Sequence, residues 1–186
     1  MRSALKQGIL ARMPSFRRAS LADVPALHAL VESAYRGEAS RAGWTTEADF
    51  LDGQRTDPEE LSSLVRGPET QILLAHEGTD LVGCVLVRDE GARAYLGMLS
   101  VRPNLQSAGI GRALLDEAER VARDELGKHT MRMRVISLRD SLLAWYERRG
   151  YVRTGATEPF PYDEPRAGQP RRADLIFVEL EKPLSP

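Results

Sequence analysis

Apolar positions along this chain change rhythm several times, and each change marks an element. Residues 16–19 suit a short first strand. In SLADVPALHALVESAYRG, residues 20–37, Leu27, Leu30, Val31 and Ala34 recur on one helical face. Ser20 is placed to cap that helix, Asp23 suits its first turn, and Pro25 is tolerable only near such a start. QILLAHE and LVGCVLVRD, parted by Gly78, Thr79 and Asp80, read as a hairpin, and ARAYLGMLSV after Gly91 reads as a third strand. Helical spacing returns over 109–126. Ile110, Leu114, Ala118, Val121 and Ala122 face inward there with Leu115 and Leu126 nearby, Glu117 and Glu119 face outward, and Gly127 serves as a C-cap. TMRMRVISL alternates as a strand does, SLLAWYERR is a short helix closed by Gly150, and Tyr151 and Val152 open another strand. A proline-bearing loop over 158–172 leads to DLIFVELEK, the last strand.

This order predicts an α/β architecture: a mixed, mostly antiparallel central sheet with helices on both faces. A doubly wound dinucleotide fold is excluded, because the hairpin-rich first half does not repeat strand and helix units. At 186 residues the chain fits one domain. The expected division is a flexible leader over 1–15, the domain over 16–182 and a tail over 183–186. Residues 38–68 are polar with scattered large apolar side chains. Thr45 or Thr46 can cap a short helix through Ala48, Phe50 and Leu51, and Pro58 can open another through Leu61, Leu64 and Val65. Such a stretch is too long for an idle loop. It is either a helical lid over a site or a solvated connection, and Trp44 and Phe50, costly to expose, favour the lid.

Charge and cysteine content narrow the class. A formal net charge of -1 argues against nucleic-acid partners. Cys84, the one cysteine, can form no internal disulfide, which suits a reducing compartment such as the cytoplasm, and its strand context makes it a core residue. No apolar run approaches the roughly 20 residues of a membrane span, so no membrane partner is expected. The basic start MRSALKQGILARMPSFRR lacks the apolar core and cleavage site of a signal peptide. His28, His76 and His129 have no metal-ligand spacing with one another or with Cys84, so no metal is expected.

The chemistry concentrates in VRPNLQSAGIGRALLDEAER, where Gly109 and Gly111 sit directly before the longest helix. The first amides of a helix have no partners within it, and facing a ligand they form an anion site. Gln106 and Ser107 can add donors, and Arg102 and Arg112 add charge. Close packing of a helix start on a strand would explain the same glycines. QSAGIG lacks the first glycine of the dinucleotide fingerprint and the lysine and hydroxyl of the nucleoside triphosphate loop.

The block LSVRPNLQSAGIGRALLDEAE resembles the acyl-CoA signature V-x-P-x-x-Q-x-x-G-x-G of GNAT-type N-acetyltransferases, with Val101, Pro103, Gln106, Gly109 and Gly111 in place. SLLAWYERRGYVRTG resembles that family's second CoA-side segment, and the likeness covers most of 16–180. It implies that amides from Gln106 or Ser107 through Ala108, Gly109, Ile110, Gly111 and Arg112 hold the pyrophosphate of coenzyme A. It implies that Leu99, Ser100 and Val101 lie along the pantetheine arm, and that Tyr146 is the acid near the sulfur. The alternative for Tyr146 is core packing beside Trp145. Relatives often carry a glutamate base on the strand before the loop, but AYLGMLSV has no carboxylate. The candidates elsewhere are Glu32, Glu47, Asp49, Asp163 and Glu164, each equally readable as a solvated surface residue. Glu32 is preferred because Leu30, Val31 and Ala34 place it near a buried face. Arg139 stands where relatives often have asparagine, and it can reach a phosphate or lie exposed. Gly97 can admit a substrate closely or form a bulge. Tyr35, Trp44 and Phe50 can wall an acceptor pocket or pack a core, and Tyr162 can close over the same place.

The resemblance implies transfer of an acetyl group from acetyl-CoA to a primary amine by direct attack in a ternary complex, without a metal. A small-molecule amine is favoured over a peptide. The alternative is a non-catalytic acyl-CoA-binding sensor or regulatory module, which the missing strand carboxylate supports. If the final strand, RRADLIFVELEK, lies at a sheet edge, it offers a route to a homodimer.

Overall fold

A computed structural model of the chain describes residues 14–185. Most of the expected leader lies outside them, and its last residue, Ser15, already opens the first strand. The described elements are β1 (Ser15–Arg18), α1 (Val24–Tyr35), α2 (Gly37–Ser40), β2 (Leu51–Asp52), α3 (Pro58–Arg66), β3 (Thr70–Glu77), β4 (Asp80–Asp89) and β5 (Ala94–Val101). They continue with α4 (Ile110–Arg120), β6 (Thr130–Ile136), α5 (Asp140–Glu147), β7 (Val152–Pro159), β8 (Gln169–Pro170) and β9 (Ile176–Pro183).

The main sheet runs β1-β3-β4-β5-β6-β9-β7, and its one parallel pair is β5 with β6. Helices cover both faces, as the alternating side chains of the central strands require. Leu73 and Ala75 of β3 join Val85 and Val87 of β4 under α4, with Leu114, Leu115 and Ala118. Ile72, Leu74, Cys84 and Leu86 point the other way, under α1 and α3, with Leu27, Val31 and Leu61. Cys84 is therefore a core residue, and burial pushes its thiol pKa up to about 12.

The N-terminus of α1 follows a short 3-10 turn, Leu21–Asp23, in which the Asp23 carboxylate accepts from both the amide and the hydroxyl of Ser20. At α3, Asp57 caps the helix by accepting from the Glu60 amide at 2.7 Å, and Pro58 fills the first position. The helix expected through Ala48, Phe50 and Leu51 does not form. Residues 48–50 turn, and Leu51 and Asp52 pair antiparallel with Pro170 and Gln169. That long-range pairing overrides the local helical pattern.

Three other expectations change. The last strand is not an edge: β9 lies between β6 and β7, so the ground for pairing two copies through it falls away. The edges are β1 and β7, and the described residues of β7 are all exposed. Glu119 is buried rather than outward, accepting from the Tyr151 hydroxyl at 2.9 Å and from Lys182 at 2.6 Å. Order also persists past residue 182, since Leu184 is buried and its amide donates to the His129 carbonyl.

Candidate functional site: a groove and a cavity meeting at Tyr146

The site begins with a failure of strand pairing. β5 and β6 are in register only at Ala94 with Met131 and Tyr95 with Arg132. Beyond Tyr95 they separate. The far edge of β5, from Gly97 to Val101, is left without a strand partner, while its other edge stays paired with β4. A bulge sits in the same place: Cys84 faces Ser100, but Leu86 already faces Gly97. Met98 takes a positive φ of 52° there. The extra residue flips the strand's phase. Ala94 and Leu96 pack under α4 before it, and Leu99 and Val101 do so after it. Gly97 lines the resulting gap, and a Cβ on it would stand 2.9 Å from the Tyr95 ring, so both readings of this glycine meet at one place.

At the end of β5 the chain makes a short 3-10 turn and enters α4 through Ser107 and Gly109, at φ 75° and 88°. Glycine suits that left-handed geometry at 109. Among the described residues, the amides of Ser107, Gly109, Ile110, Gly111 and Arg112 donate to no protein acceptor, while Ala108 donates to the Leu105 carbonyl. Four of these residues, Ser107, Gly109, Gly111 and Arg112, line a groove of about 460 Å³. Val101, Trp44, Trp145 and Leu142 form walls, and Arg112, Arg148 and Arg149 bring three cations to it. Arg149 stacks over Trp145 at 3.6 Å. Burial, then the guanidiniums of Arg112 and Arg148, lower its pKa, as expected where positive charges crowd. Such a corner suits a multiply charged anion.

A second cavity, of about 210 Å³, lies between the separated strands. It shares Tyr35, Leu99, Arg139, Leu142 and Tyr146 with the groove, so these residues mark the junction. Its walls carry four arginines, Arg36, Arg55, Arg134 and Arg139, against one carboxylate, Glu47. Glu47 is buried and bonds Arg36 at 2.5 Å and Arg139 at 2.7 Å. Burial works to raise its pKa, but Arg139, Arg36 and Arg55 outweigh that and hold it below the ordinary range. Tyr146 is buried, edge-on to Trp145 and Tyr151. Burial, then the Tyr35 phenol, push its pKa up, so it remains protonated at neutral pH. The Tyr35 hydroxyl donates to the Leu99 carbonyl at 2.9 Å, tying α1 to the bulge.

A model of the acetyltransferase (GNAT) family matches residues 26–151. The chain belongs to that family. No curated protein sequence matches it. Among solved structures, it is similar to the ribosomal-protein-S18-alanine N-acetyltransferase of Escherichia coli at 17% identity and a TM-score of 0.69, with 94% of this chain and 96% of that one covered. The ribosomal-protein-alanine N-acetyltransferase of Brucella melitensis gives 23%, 0.69, 91% and 99%. The yncA protein of Salmonella typhimurium, solved with its cofactor acetyl-CoA, gives 19%, 0.68, 94% and 95%. At these identities the structures establish a shared fold.

Within this family member the expected site residues separate into two groups. Leu99, Val101, Gln106, Ser107, Gly109, Gly111, Arg112, Arg139 and Tyr146 line the groove. Ser100 is buried with its hydroxyl on the Met98 carbonyl, and the Ile110 side chain packs into the core while its amide has no protein acceptor. Gln106 does not present its side chain to a ligand. Its carboxamide accepts from the Trp44 amide at 2.9 Å and donates to Thr45 and to the Val101 carbonyl, stapling 43–45 to the loop. Arg139 reaches Glu47 and the Thr45 carbonyl rather than the α4 amides.

Glu32 lines neither cavity. Its carboxylate accepts from the amides of Arg55 and Thr56 at 2.7 and 2.9 Å, so it clasps the insert to α1 and is not placed as a base. Asp49, Asp163 and Glu164 also line neither cavity. Tyr35 and Trp44 wall the site, whereas Phe50 packs behind Leu51 and Phe160, which line the cavity, without lining it itself. Tyr162 accepts from the Leu175 amide at 2.7 Å and packs edge-on against the cavity-lining Phe160, without lining either cavity itself. Arg36, Arg55, Arg148 and Arg149 carried no spacing signal, because they converge only through tertiary packing. Among the described residues no cluster of three or more His, Cys, Asp or Glu residues could hold a metal, and no helix is long and apolar enough to cross a membrane.

Proposed function

We propose that the chain transfers an acetyl group from acetyl-CoA to a primary amine by direct attack with both substrates bound. The observation that carries this reading is the row of unpartnered amides at the start of α4, opening on a groove that leads past Tyr146 into a second cavity. Family membership and the acetyl-CoA found with the Salmonella structure support use of a CoA-type cofactor. The residues fit such a group. Five free amides with Arg112, Arg148 and Arg149 suit the phosphates, and the open edge of β5 suits an amide-bearing arm.

Bound acetyl-CoA supplies an activated acyl thioester. The chain's own groups must position it, exclude water and manage one proton, which leaves the amine and ends on the sulfur. Tyr146 stays protonated at the junction of the two cavities and serves as the donor toward sulfur. Glu47 is the one carboxylate lining the cavity, and its lowered pKa makes it a weak base. The amine therefore enters through its neutral fraction, and Glu47 acts by fixing Arg36 and Arg139. A cavity of about 210 Å³ suits a small acceptor, being somewhat larger than the roughly 150 Å³ that accommodates benzene. Residues 38–68 act as a lid, since Trp44 and Thr45 wall the groove while Glu47, Leu51 and Arg55 wall the cavity.

Calorimetry with acetyl-CoA, paired with a thiol-release assay across amines, tests this. Binding with amine-dependent release is expected. Binding without release from any amine would favour an acyl-CoA-binding module, the reading to which the missing strand carboxylate points. Absence of binding would contradict both.

A further inference from the structure

The four arginines of the 210 Å³ cavity are not alike. Arg36 and Arg139 share Glu47, and Arg134 pairs with Glu158. Among the described residues, no carboxylate pairs with Arg55, and its guanidinium donates no hydrogen bond to a protein acceptor. It lies over the Tyr35 ring at 5.2 Å, partly buried, on the cavity wall and not on the groove. Its main chain is held firmly. Glu32 clasps the amides of Arg55 and Thr56, and the Thr56 hydroxyl bonds Glu60 of α3 at 2.7 Å. The arrangement holds on the cavity wall, on a fixed backbone, a guanidinium that makes no direct ion pair and that Glu47 and Glu60 reach only through space. A partly desolvated guanidinium whose donors make no direct hydrogen bond to the protein gains from a ligand that supplies acceptors, and its planar fork matches an oxyanion.

Resting on the transferase reading above, we infer that the acceptor is a small primary amine that also carries an oxyanion group, a carboxylate or a phosphonate, and that Arg55 receives that group. The phosphates of the cofactor are served elsewhere, by the α4 amides and by Arg112, Arg148 and Arg149, which line only the groove. Arg55 is thus a specificity residue for the acceptor, and Glu32 is the positioning residue that sets its backbone. A neutral or purely cationic amine of the same size would leave the guanidinium unanswered and would meet a cavity already rich in positive charge.

The test uses the full chain and matched acceptors: L-amino acids, their amides, the corresponding decarboxylated amines and aminoalkylphosphonates. Thiol release from acetyl-CoA is read for each. The acids, or the phosphonates, should exceed their uncharged counterparts in kcat/KM by at least about tenfold, and the better of the two arms identifies the oxyanion. Arg55→Gln should remove that preference through KM, with the dissociation constant for acetyl-CoA unchanged within about twofold. Arg55→Lys should restore part of it. Equal use of acids and amides by the native protein, or an equal loss for both in Arg55→Gln, would overturn the inference while leaving the transferase reading intact. If no amine releases thiol, that reading fails instead. Calorimetry of N-acetyl-leucine, its amide and N-acetylated 1-aminoethylphosphonate in the presence of CoA then decides the role of Arg55. Tighter binding of either anion, lost in Arg55→Gln, supports it. No difference overturns it.

Discussion

The groove and the cavity meet at Tyr146, yet they are built from different materials. The groove's end at α4 is built of backbone: amides of Ser107, Gly109, Ile110, Gly111 and Arg112, left free by a helix start and shaped by two left-handed residues. The cavity is side chain: Arg36, Arg55, Arg139 and Glu47, brought from α1, the insert and the start of α5. A backbone site resists side-chain truncation and yields only to changes that move the main chain. A side-chain site yields to single substitutions, and those leave the backbone amides of the groove in place. Mutation should therefore affect the two regions in opposite ways.

The largest expected effect is in the cavity. Glu47→Gln leaves Arg36 and Arg139 without their shared carboxylate, and breaking a buried pair in this way costs about 3–5 kcal/mol. Urea unfolding at pH 7 measures it. The pH dependence has a definite sign. The folded pKa of Glu47 lies below its unfolded value, so its contribution is complete above the unfolded pKa and fades as pH falls through the folded one. The gap between native protein and variant should narrow on acidification, and a gap that widened would contradict the assignment.

Next comes a main-chain change in the groove. Gly109→Val places a β-branched residue at φ 88°. Affinity for acetyl-CoA should fall by at least about 100-fold, near 2.7 kcal/mol, as read by calorimetry. Arg112→Ala in the same groove should cost far less, because the Arg112 side chain is exposed and only loosely paired with Asp116 at 3.7 Å.

Tyr146→Phe probes the junction. It keeps the ring packing on Trp145 and Tyr151 and removes the donor. The expected result is a loss of roughly 10- to 100-fold in kcat with little change in acetyl-CoA affinity. A loss in affinity alone would make Tyr146 a packing residue.

How much of this the sequence carried follows from the same contrast. The helix start at Gly109 is local: glycine spacing, an apolar run behind it and a strand ahead of it are all contiguous, so a helix start with unpaired amides was legible. So were the hairpin and the core face of α4, which rest on periodicity. Whether the final strand lay at an edge was open in the sequence, because alternation reports a strand's faces but not its neighbours. β9 is internal only because β7 folds back along it. Glu119 was read as outward because no local signal tells of Tyr151 and Lys182, which reach it from 32 and 63 residues away. Glu32 was read as a base from its buried neighbours, and the same burial instead serves two amides of the insert. The Arg36, Glu47 and Arg139 network spans 36–139 and left no pattern to find.

The smallest effect joins the two regions. Gln106 ties the loop to the insert through two side-chain bonds and to the Val101 carbonyl through a third, and Gln106→Ala should lower stability by about 1–2 kcal/mol, measured by urea unfolding. Acetyl-CoA affinity should change by less than about tenfold, since the five free amides remain.

The central claim is that those backbone amides hold the diphosphate, and amide nuclear magnetic resonance during titration with CoA tests it most directly. The proton signals of Ser107, Gly109, Ile110, Gly111 and Arg112 should move downfield together and saturate at one concentration. Binding with those five signals unmoved would contradict the account.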